Sequence, residues 1–322
     1  MPRARLIRSL AVLAALTAGV THAQAQSTAP PEVLPRCFGA AARDPLAPCS
    51  NRALRLQVVP APLAARHESN SPCNSRAREG LVNVCFFGAE PAAATRTVAL
   101  VGDSHASHWR AALDIVARER GWRGLSMTRT SCPFSAATHR IAEPARSRCV
   151  TWVQALPGFF RAHPEIDVVF VVALAGGKVV VPPGRSADEA RVNGYRNAWA
   201  SLPASVRHIV VIRDTPRISH RTVACITRAL RDHLPAGVAC APPRAAALTP
   251  DPQVTAAGQE QPGRLQVVDL TRVLCSPRLC FPVIGGALVY KDLHHLSLVF
   301  ARTLGVPLGR QVDRAARAWP AG

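Results

Sequence analysis

The stretch Val98-Ala99-Leu100-Val101-Gly102-Asp103-Ser104-His105 decides the fold that this sequence predicts. A short apolar run ends in a Gly-Asp-Ser turn, and an Ala-, Leu- and Arg-rich stretch continues to about Arg120. This order predicts a buried strand, a tight turn and a helix. The Ser104 hydroxyl would then project at the carboxyl end of the strand and close to the positive end of a helix, where reactive groups of α/β folds gather.

Further apolar runs predict a parallel sheet. Residues 167–174 contain seven consecutive apolar residues, which favours a strand buried on both faces. Predicted helices alternate with these strands, and this alternation is typical of an α/β domain with helices on both faces of the sheet. The Ala-, Pro- and Gln-rich segment 241–262 predicts a loop. The other predicted strands are 124–128, 208–212 and 265–270, and the other predicted helices are 151–163, 186–200 and 222–233.

The beginning of the chain has the pattern of an export signal. Three arginines and no acidic residue precede an apolar run from Leu10 to Val20, and Ala23-Gln24-Ala25 matches a small-x-small cleavage site. We therefore expect a signal peptide over 1–25, cleaved after Ala25 or else after Ala23, with an uncleaved anchor as the alternative. No later run approaches the roughly 18 apolar residues of a membrane helix. The sequence thus predicts a periplasmic or secreted protein.

Ten cysteines, with no Cys-x-x-Cys pair, predict disulfides rather than a zinc or redox site. Spacing alone does not fix the connectivity, but five consecutive short-range pairs are the simplest arrangement. Four of the cysteines lie in 26–92, for which we expect an irregular, disulfide-stapled extension with one short strand at 54–59. Residues 93–322 would form the main domain. The predicted pairs are Cys37 with Cys49, Cys73 with Cys85, Cys132 with Cys149, Cys225 with Cys240, and Cys275 with Cys280.

The formal charge of +19 comes almost entirely from arginine, since Lys178 and Lys291 are the only lysines. Removal of the three arginines of the signal would leave +16. The arginines are scattered along the sequence, which argues against a nucleic-acid partner and leaves a general attraction to anionic surfaces.

A catalytic serine needs a base, and the base needs an acid that orients it. Asp292-Leu293-His294-His295 supplies both, because an Asp and a His three residues apart can lie on one side of a turn. His295 is then the base and Asp292 its orienting acid. Each motif alone has an ordinary explanation: Gly-Asp-Ser is a common helix cap, and His294 is either the true base or an exposed neighbour. His105 and His108 are expected on a helix face.

The combination resembles the SGNH (GDSL-like) hydrolase superfamily. It is most similar to the SGNH domain fused to, or encoded with, membrane acyltransferases of the acyltransferase-3 type. The resemblance implies a three-layer α/β/α fold with a flavodoxin-like sheet, and it assigns Ser104 as the nucleophile with Asp292 and His295 as its partners. It also implies O-acylation, usually O-acetylation, of cell-surface glycans, with some members acting as esterases. The motifs that carry it are Cys37-Phe38-Gly39-Ala40, Pro48-Cys49, Cys85-Phe86-Phe87-Gly88, Val101-Gly102-Asp103-Ser104-His105, Ser131-Cys132-Pro133, Arg213-Asp214-Thr215-Pro216, Leu274-Cys275, Cys280, Tyr290-Lys291-Asp292 and His295-Leu296-Ser297.

The sequence departs from this family in its oxyanion hole. The family uses the N–H of the nucleophile, a glycine N–H after the second strand and an asparagine side chain after the third; neither of the last two is plainly present. The remaining candidates are the N–H groups of Ser104, Cys132, Gly176 and Gly177, or the Lys178 ammonium. Candidate substrate contacts are Asp103, Lys178, Arg213 and Asp214, although Asp103 also suits a turn and the last two a salt-bridged loop.

Together with this resemblance, the residues predict acyl transfer to a glycan hydroxyl. The resemblance implies acetyl as the group and an integral-membrane acyltransferase-3 protein as the partner that supplies it. A carbohydrate or lipid esterase with the same triad is the alternative, and a non-catalytic glycan-binding adaptor is a third. No cofactor and no metal are expected.

Overall fold

A mostly parallel sheet forms the centre of the structure, a computed structural model that describes residues 34–69, 73–260, 263–317 and 319. Within these residues the sheet has the strand order β1-β2-β4-β3-β5-β6-β7. Strands β3 to β7 run parallel, while β1 and β2 are antiparallel to their neighbours. The strands are β1 (Ser75–Glu79), β2 (Val82–Gly88), β3 (Arg96–Gly102), β4 (Trp122–Thr128), β5 (Ile166–Val172), β6 (His208–Ile212) and β7 (Leu265–Val268), and a separate hairpin contains β8 (Val283–Ile284) and β9 (Ala287–Leu288).

Helices cover both faces of the sheet, as predicted for a three-layer α/β/α fold. One core packs α2, α9, α10 and α11 against one face, and a second packs α3, α4 and α8 against the other. A smaller cluster joins α5 and α6 to the β8–β9 hairpin. The helices are α1 (Pro62–Ala65), α2 (Ser104–Glu119), α3 (Ala145–Ala162), α4 (Ala187–Ala200), α5 (His220–Arg231), α6 (Ala236–Ala239), α7 (Arg244–Ala247), α8 (Pro252–Gly258), α9 (Thr271–Leu274), α10 (Leu298–Thr303) and α11 (Gly305–Ala316).

The central strands are apolar on both faces because both faces are covered. Every residue of β5 is buried. Its side chains alternate between the two cores, so that Phe170 packs on the side of α2 and Val169 and Val171 pack on the side of α3. The uninterrupted apolar run at 168–174 is therefore the expected sequence of a doubly covered strand.

The segment before residue 92 differs from the predicted irregular extension. Residues 75–79 and 82–88 form a hairpin that extends the central sheet, since β2 pairs with β4. Strand β1 escaped recognition because it is polar and exposed at the edge of the sheet. The strand expected at 54–59 is also wrong: Arg52–Leu54 is a turn of 3-10 helix, and Val59 makes only an isolated bridge to Ala287.

Residues 241–262 are not simply a loop, because they contain α7 and α8. Asp251 caps α8 by accepting the N–H of Gln253, and Ala256 lies in the core on the α3 side. This short helix has no clear apolar period in the sequence, and packing rather than intrinsic propensity stabilises it.

All five predicted disulfides are present. Among the described helices, none combines the length and the apolar composition that a bilayer span requires. The signal peptide expected over 1–25 lies outside the described residues.

Candidate active site

Ser104 is the first residue of α2 and directly follows the turn at the end of β3. Gly102 is required in this turn: its φ is +153°, and a Cβ at this position would lie 1.8 Å from the carbonyl oxygen of Val172. Asp103 caps the helix by accepting the N–H of His105 at 2.8 Å. The other carboxylate oxygen of Asp103 accepts the N–H of Leu174 at 3.0 Å, which ties the turn to the end of β5.

Ser104, His295 and Asp292 form one hydrogen-bonded line. His295 Nε2 lies 2.8 Å from Ser104 Oγ, and His295 Nδ1 lies 2.7 Å from Asp292 Oδ2. The nucleophile and base candidates are 191 residues apart in the sequence. The fold therefore brings the three predicted catalytic residues together in the arrangement that activates a serine.

Asp292 also organises the backbone of its own loop. Its Oδ1 accepts the N–H groups of His294 at 2.9 Å and of His295 at 2.8 Å. Partial burial opposes ionisation, but these bonds and the His295 side chain outweigh it and hold the pKa of Asp292 well below its ordinary value. An ionised Asp292 only accepts hydrogen bonds, so it favours a hydrogen on His295 Nδ1 and leaves Nε2 free to take the proton of Ser104.

A cavity of about 490 Å³ opens beside this line. Its walls come from the loops after β4 and β5 and from residues 291–295, at the carboxyl edge of the sheet. Lys178 and Lys291 both line it, so the cavity contains both lysines of the sequence. His139 lies in the wall with a buried Nε2 that has no hydrogen-bond partner in the described part of the chain, and burial lowers its pKa to about 4.

The structure separates the oxyanion candidates into two groups. The N–H of Cys132 donates to the Arg129 carbonyl and that of Gly177 donates to the Leu174 carbonyl, so neither is available to a substrate. Cys132 is also fully buried. Within the described residues, the N–H groups of Ser104 and Gly176 have no acceptor.

Ser131 belongs to the Thr130-Ser131-Cys132 segment after β4, in which the sequence singles out only Cys132 as a candidate donor. Ser131 lines the cavity, its N–H has no acceptor within the described residues, and its φ is +58°. A positive φ suits glycine far better than serine, so Ser131 adopts the conformation of a glycine directly after β4. The Thr-Ser-Cys sequence does not predict this conformation, because serine, unlike glycine, does not indicate a left-handed backbone.

The candidate substrate contacts also divide. Lys178 lines the cavity and is exposed, and Asp103 lines it with both carboxylate oxygens occupied by backbone N–H groups. Arg213 does not line the cavity. Its Nη1 lies 3.6 Å from Asp269 Oδ2, as expected for a salt-bridged loop residue. Asp214 is buried and does not line the cavity. It accepts the N–H of Ala175 at 2.8 Å and so holds the loop after β5, which forms part of the cavity wall.

Asp214 also begins a second hydrogen-bonded line that was not recognised in the sequence. Its Oδ1 lies 2.5 Å from His105 Nδ1, and His105 Nε2 lies 2.9 Å from His294 Nδ1. Nitrogens of His105, His294 and His295 lie within 4.8 Å of one another, a spacing that a metal ion could use. The nitrogens that face each other are already hydrogen-bonded, and we assign these side chains to the two hydrogen-bonded lines.

Glu68 anchors the loop that carries Asp292 and His295. Its Oε2 accepts the N–H of Leu298 at 2.8 Å, and its carbonyl accepts Lys291 Nζ at 2.9 Å. The loop between Lys291 and Leu298 contains Asp292, His294 and His295, which all line the cavity. No local pattern in the sequence points to Glu68, because its partners lie more than 220 residues later.

The site and fold agree with a match to a protein family. The model of the family described as "SGNH domain (fused to AT3 domains)" matches residues 70–308. The chain belongs to this SGNH domain family. A search among curated proteins gives no match.

A solved structure supports the SGNH fold. It is the periplasmic domain of the lipopolysaccharide acetyltransferase of Salmonella ser. Paratyphi A, with a TM-score of 0.53 and 14% sequence identity. The superposition covers 69% of this chain and 85% of that one. At this identity the likeness establishes the fold of the SGNH domain and leaves its substrate to be determined by experiment.

Proposed function

We propose that this SGNH domain transfers an acyl group, normally acetyl, to a hydroxyl of a cell-surface glycan through an acyl-enzyme on Ser104. The observation that carries this proposal is the Ser104–His295–Asp292 line, which lies in a solvent-accessible cavity at the carboxyl edge of the sheet. The transferase of known structure that shares the fold acts on lipopolysaccharide, as its name states, which supports a glycan as the acceptor.

The reaction has two balanced halves. In the first, Ser104 Oγ attacks the carbonyl carbon of the donor while His295 Nε2 takes the hydroxyl proton. Collapse of the tetrahedral intermediate breaks the bond to the leaving group, which receives that proton. In the second half, a glycan hydroxyl attacks the acyl-serine, His295 takes its proton, and the proton returns to Ser104 Oγ as the new ester leaves.

The tetrahedral oxygen needs hydrogen-bond donors. We propose the N–H groups of Ser104, Ser131 and Gly176, which have no acceptor in the described residues and belong to residues that line the cavity. The Ser104 N–H also benefits from the positive end of α2.

The acyl group requires a donor, and we propose an integral-membrane protein of the AT3 type as its source. The family description, in which the SGNH domain is fused to AT3 domains, supports such a partner. We place the reaction outside the cytoplasm, because five disulfides suit an oxidising compartment and the first 25 residues have the pattern of an export signal.

Intact-mass analysis tests this proposal. The oxidised protein is mixed with a chromogenic acetyl ester, and the wild type is compared with Ser104→Ala. We expect one acetyl group on the wild type and none on the variant. Addition of a glycan should discharge the adduct faster than water does; discharge at the same rate with and without any glycan would favour an esterase. An equal reaction of both proteins would refute the role of Ser104.

A further inference from the structure

The second hydrogen-bonded line, Asp214–His105–His294, ends in the catalytic cavity and has no task in the mechanism above. Its inner members are shielded from water, since the side chains of His105 and Asp214 are 0% and 3% exposed. Its outer member, His294, is half-buried and lines the cavity together with Ser104 and His295. The rings of His294 and His295 lie 4.3 Å apart between centroids.

The hydrogen bonds determine where the protons lie. A carboxylate only accepts, so the Asp214 carboxylate requires a hydrogen on His105 Nδ1. Burial lowers the pKa of His105, but the charge and hydrogen bond of Asp214 outweigh it, and the net effect raises the pKa. His105 Nε2 lies 2.9 Å from His294 Nδ1, and a protonated His105 would donate across this contact.

His294 is consequently a neutral donor. Burial, together with the charges of His105 and His295, lowers its pKa to about 4. Its Nδ1 accepts from His105, so its one ring hydrogen is on Nε2. Within the described residues Nε2 has no hydrogen-bond partner, which leaves this N–H available to a bound substrate.

His294 also lies on the side of the cavity next to β5. His294 and Gly176, which follows β5, line the same cavity, and Asp214 at the other end of the line accepts the N–H of Ala175 at 2.8 Å. The residues that follow β5 provide no side-chain amide, because they are Ala173-Leu174-Ala175-Gly176-Gly177. The side-chain amide that the family places after this strand to bind the oxyanion is therefore missing. A residue from another loop can supply the donor instead.

We propose that the Nε2–H of His294 is the side-chain donor of the oxyanion hole, and that His105 and Asp214 are positioning residues that hold it in this role. This inference rests on the proposed function. His294 keeps its proton throughout: it stabilises the negative oxygen in both halves of the reaction, while His295 alone moves the serine and acceptor protons.

The arrangement implies a pH dependence with a definite sign. Below the raised pKa of His105, His105 donates to His294 and the Nε2–H of His294 faces the substrate. Above it, His105 Nε2 becomes an acceptor, the hydrogen of His294 moves to Nδ1, and Nε2 presents a lone pair to the oxyanion. The rate of the chemical step should therefore fall as the pH rises through the pKa of His105. The other groups whose charges act on these two rings are Asp103, Asp292, His295 and Arg217, and His108 lies beside His105 with its ring centroid 4.8 Å away.

Two substitutions of His294 test the proposal with a chromogenic acetyl ester as substrate. His294→Ala should lower kcat on the order of 100-fold with little change in KM, as loss of one oxyanion donor does. His294→Gln keeps an amide donor and should recover most of kcat. It should also lose the alkaline fall in kcat, because its N–H no longer depends on His105. His220→Ala, which changes an exposed histidine outside the cavity, serves as the control.

Asp214→Asn provides a second readout. It should move the alkaline fall of kcat to lower pH, because the negative charge that raises the pKa of His105 is removed. A His294→Ala kcat within threefold of the wild type would overturn the inference. So would a His294→Gln variant as impaired as His294→Ala with the alkaline fall intact. Ser104→Ala separates the two levels: its full activity would refute the proposed function, whereas its inactivity beside an active His294→Ala would refute this inference alone.

Discussion

Replacement of Asp292 by Asn tests the catalytic line most directly. The carboxylate accepts hydrogens from three groups: the side chain of His295 and the N–H groups of His294 and His295. The amide oxygen of Asn can still accept both backbone N–H groups, so the loop should keep its shape. The amide nitrogen would then face His295 Nδ1 and donate to it, which forces the ring hydrogen onto Nε2. In that tautomer His295 cannot accept the proton of Ser104.

The expected loss follows from that tautomer. A wrong tautomer in a serine triad lowers kcat by about 10⁴-fold, which corresponds to about 5.4 kcal/mol of transition-state stabilisation. Stopped-flow release of the chromophore from an acetyl ester measures the acylation rate, and thermal unfolding checks the fold. Asp232→Asn is a matched control, because Asp232 is an acid that pairs with Arg231 far from the cavity. An Asp292→Asn rate within tenfold of the wild type would show that Asp292 does not orient the base.

The other predictions concern the loop anchor, a helix cap and the core. Glu68→Ala should lower both kcat and the melting temperature because the N–H of Leu298 loses its acceptor, whereas Glu68→Gln should retain both values. Equal effects of the two substitutions on ester turnover and on calorimetric melting would contradict this. Ser186→Ala removes one half of the capping box of α4 and should cost about 1 kcal/mol of unfolding free energy in urea, with unchanged kcat. Phe170→Ala opens a fully buried site in β5 and should cost about 3–5 kcal/mol by the same measurement. A loss below about 1 kcal/mol would mean that the core on the α2 side is not tightly packed there.

The sequence predicts those parts of the fold that depend on local pattern. The strand before Ser104 and the strand at 208–212 are apolar runs between turn formers, and β6 has the predicted bounds. The Asp292-x-x-His295 spacing fits one turn, so the geometry of this pair is local as well. Their approach to Ser104 was inferred from the family resemblance, since it joins distant segments.

The elements that escaped prediction depend on distant partners. Strand β1 reads Ser-Arg-Ala-Arg-Glu, and only its pairing with β2 makes it a strand. His105 meets Asp214 across 109 residues and His294 across 189, and neither contact leaves a periodic signal. Cys132 and Gly177 were offered as oxyanion donors for a similar reason, because the sequence does not reveal which N–H groups the local turns already use.

The contacts of Glu68 with residues 291–298 bear on the order in which the chain becomes active. Export as proposed above, with the N-terminus first, would expose Glu68 and Ser104 long before Asp292 and His295. In that order Ser104 would lack its base until residues 292–295 have passed, and Glu68, which contacts Lys291 and Leu298 in the folded protein, would already have emerged. The order in which the segments emerge would by itself keep Ser104 without its base, and therefore inactive, during export. A recombinant fragment that begins at residue 70, where the family match begins, would lack this docking point and should assemble its catalytic loop poorly.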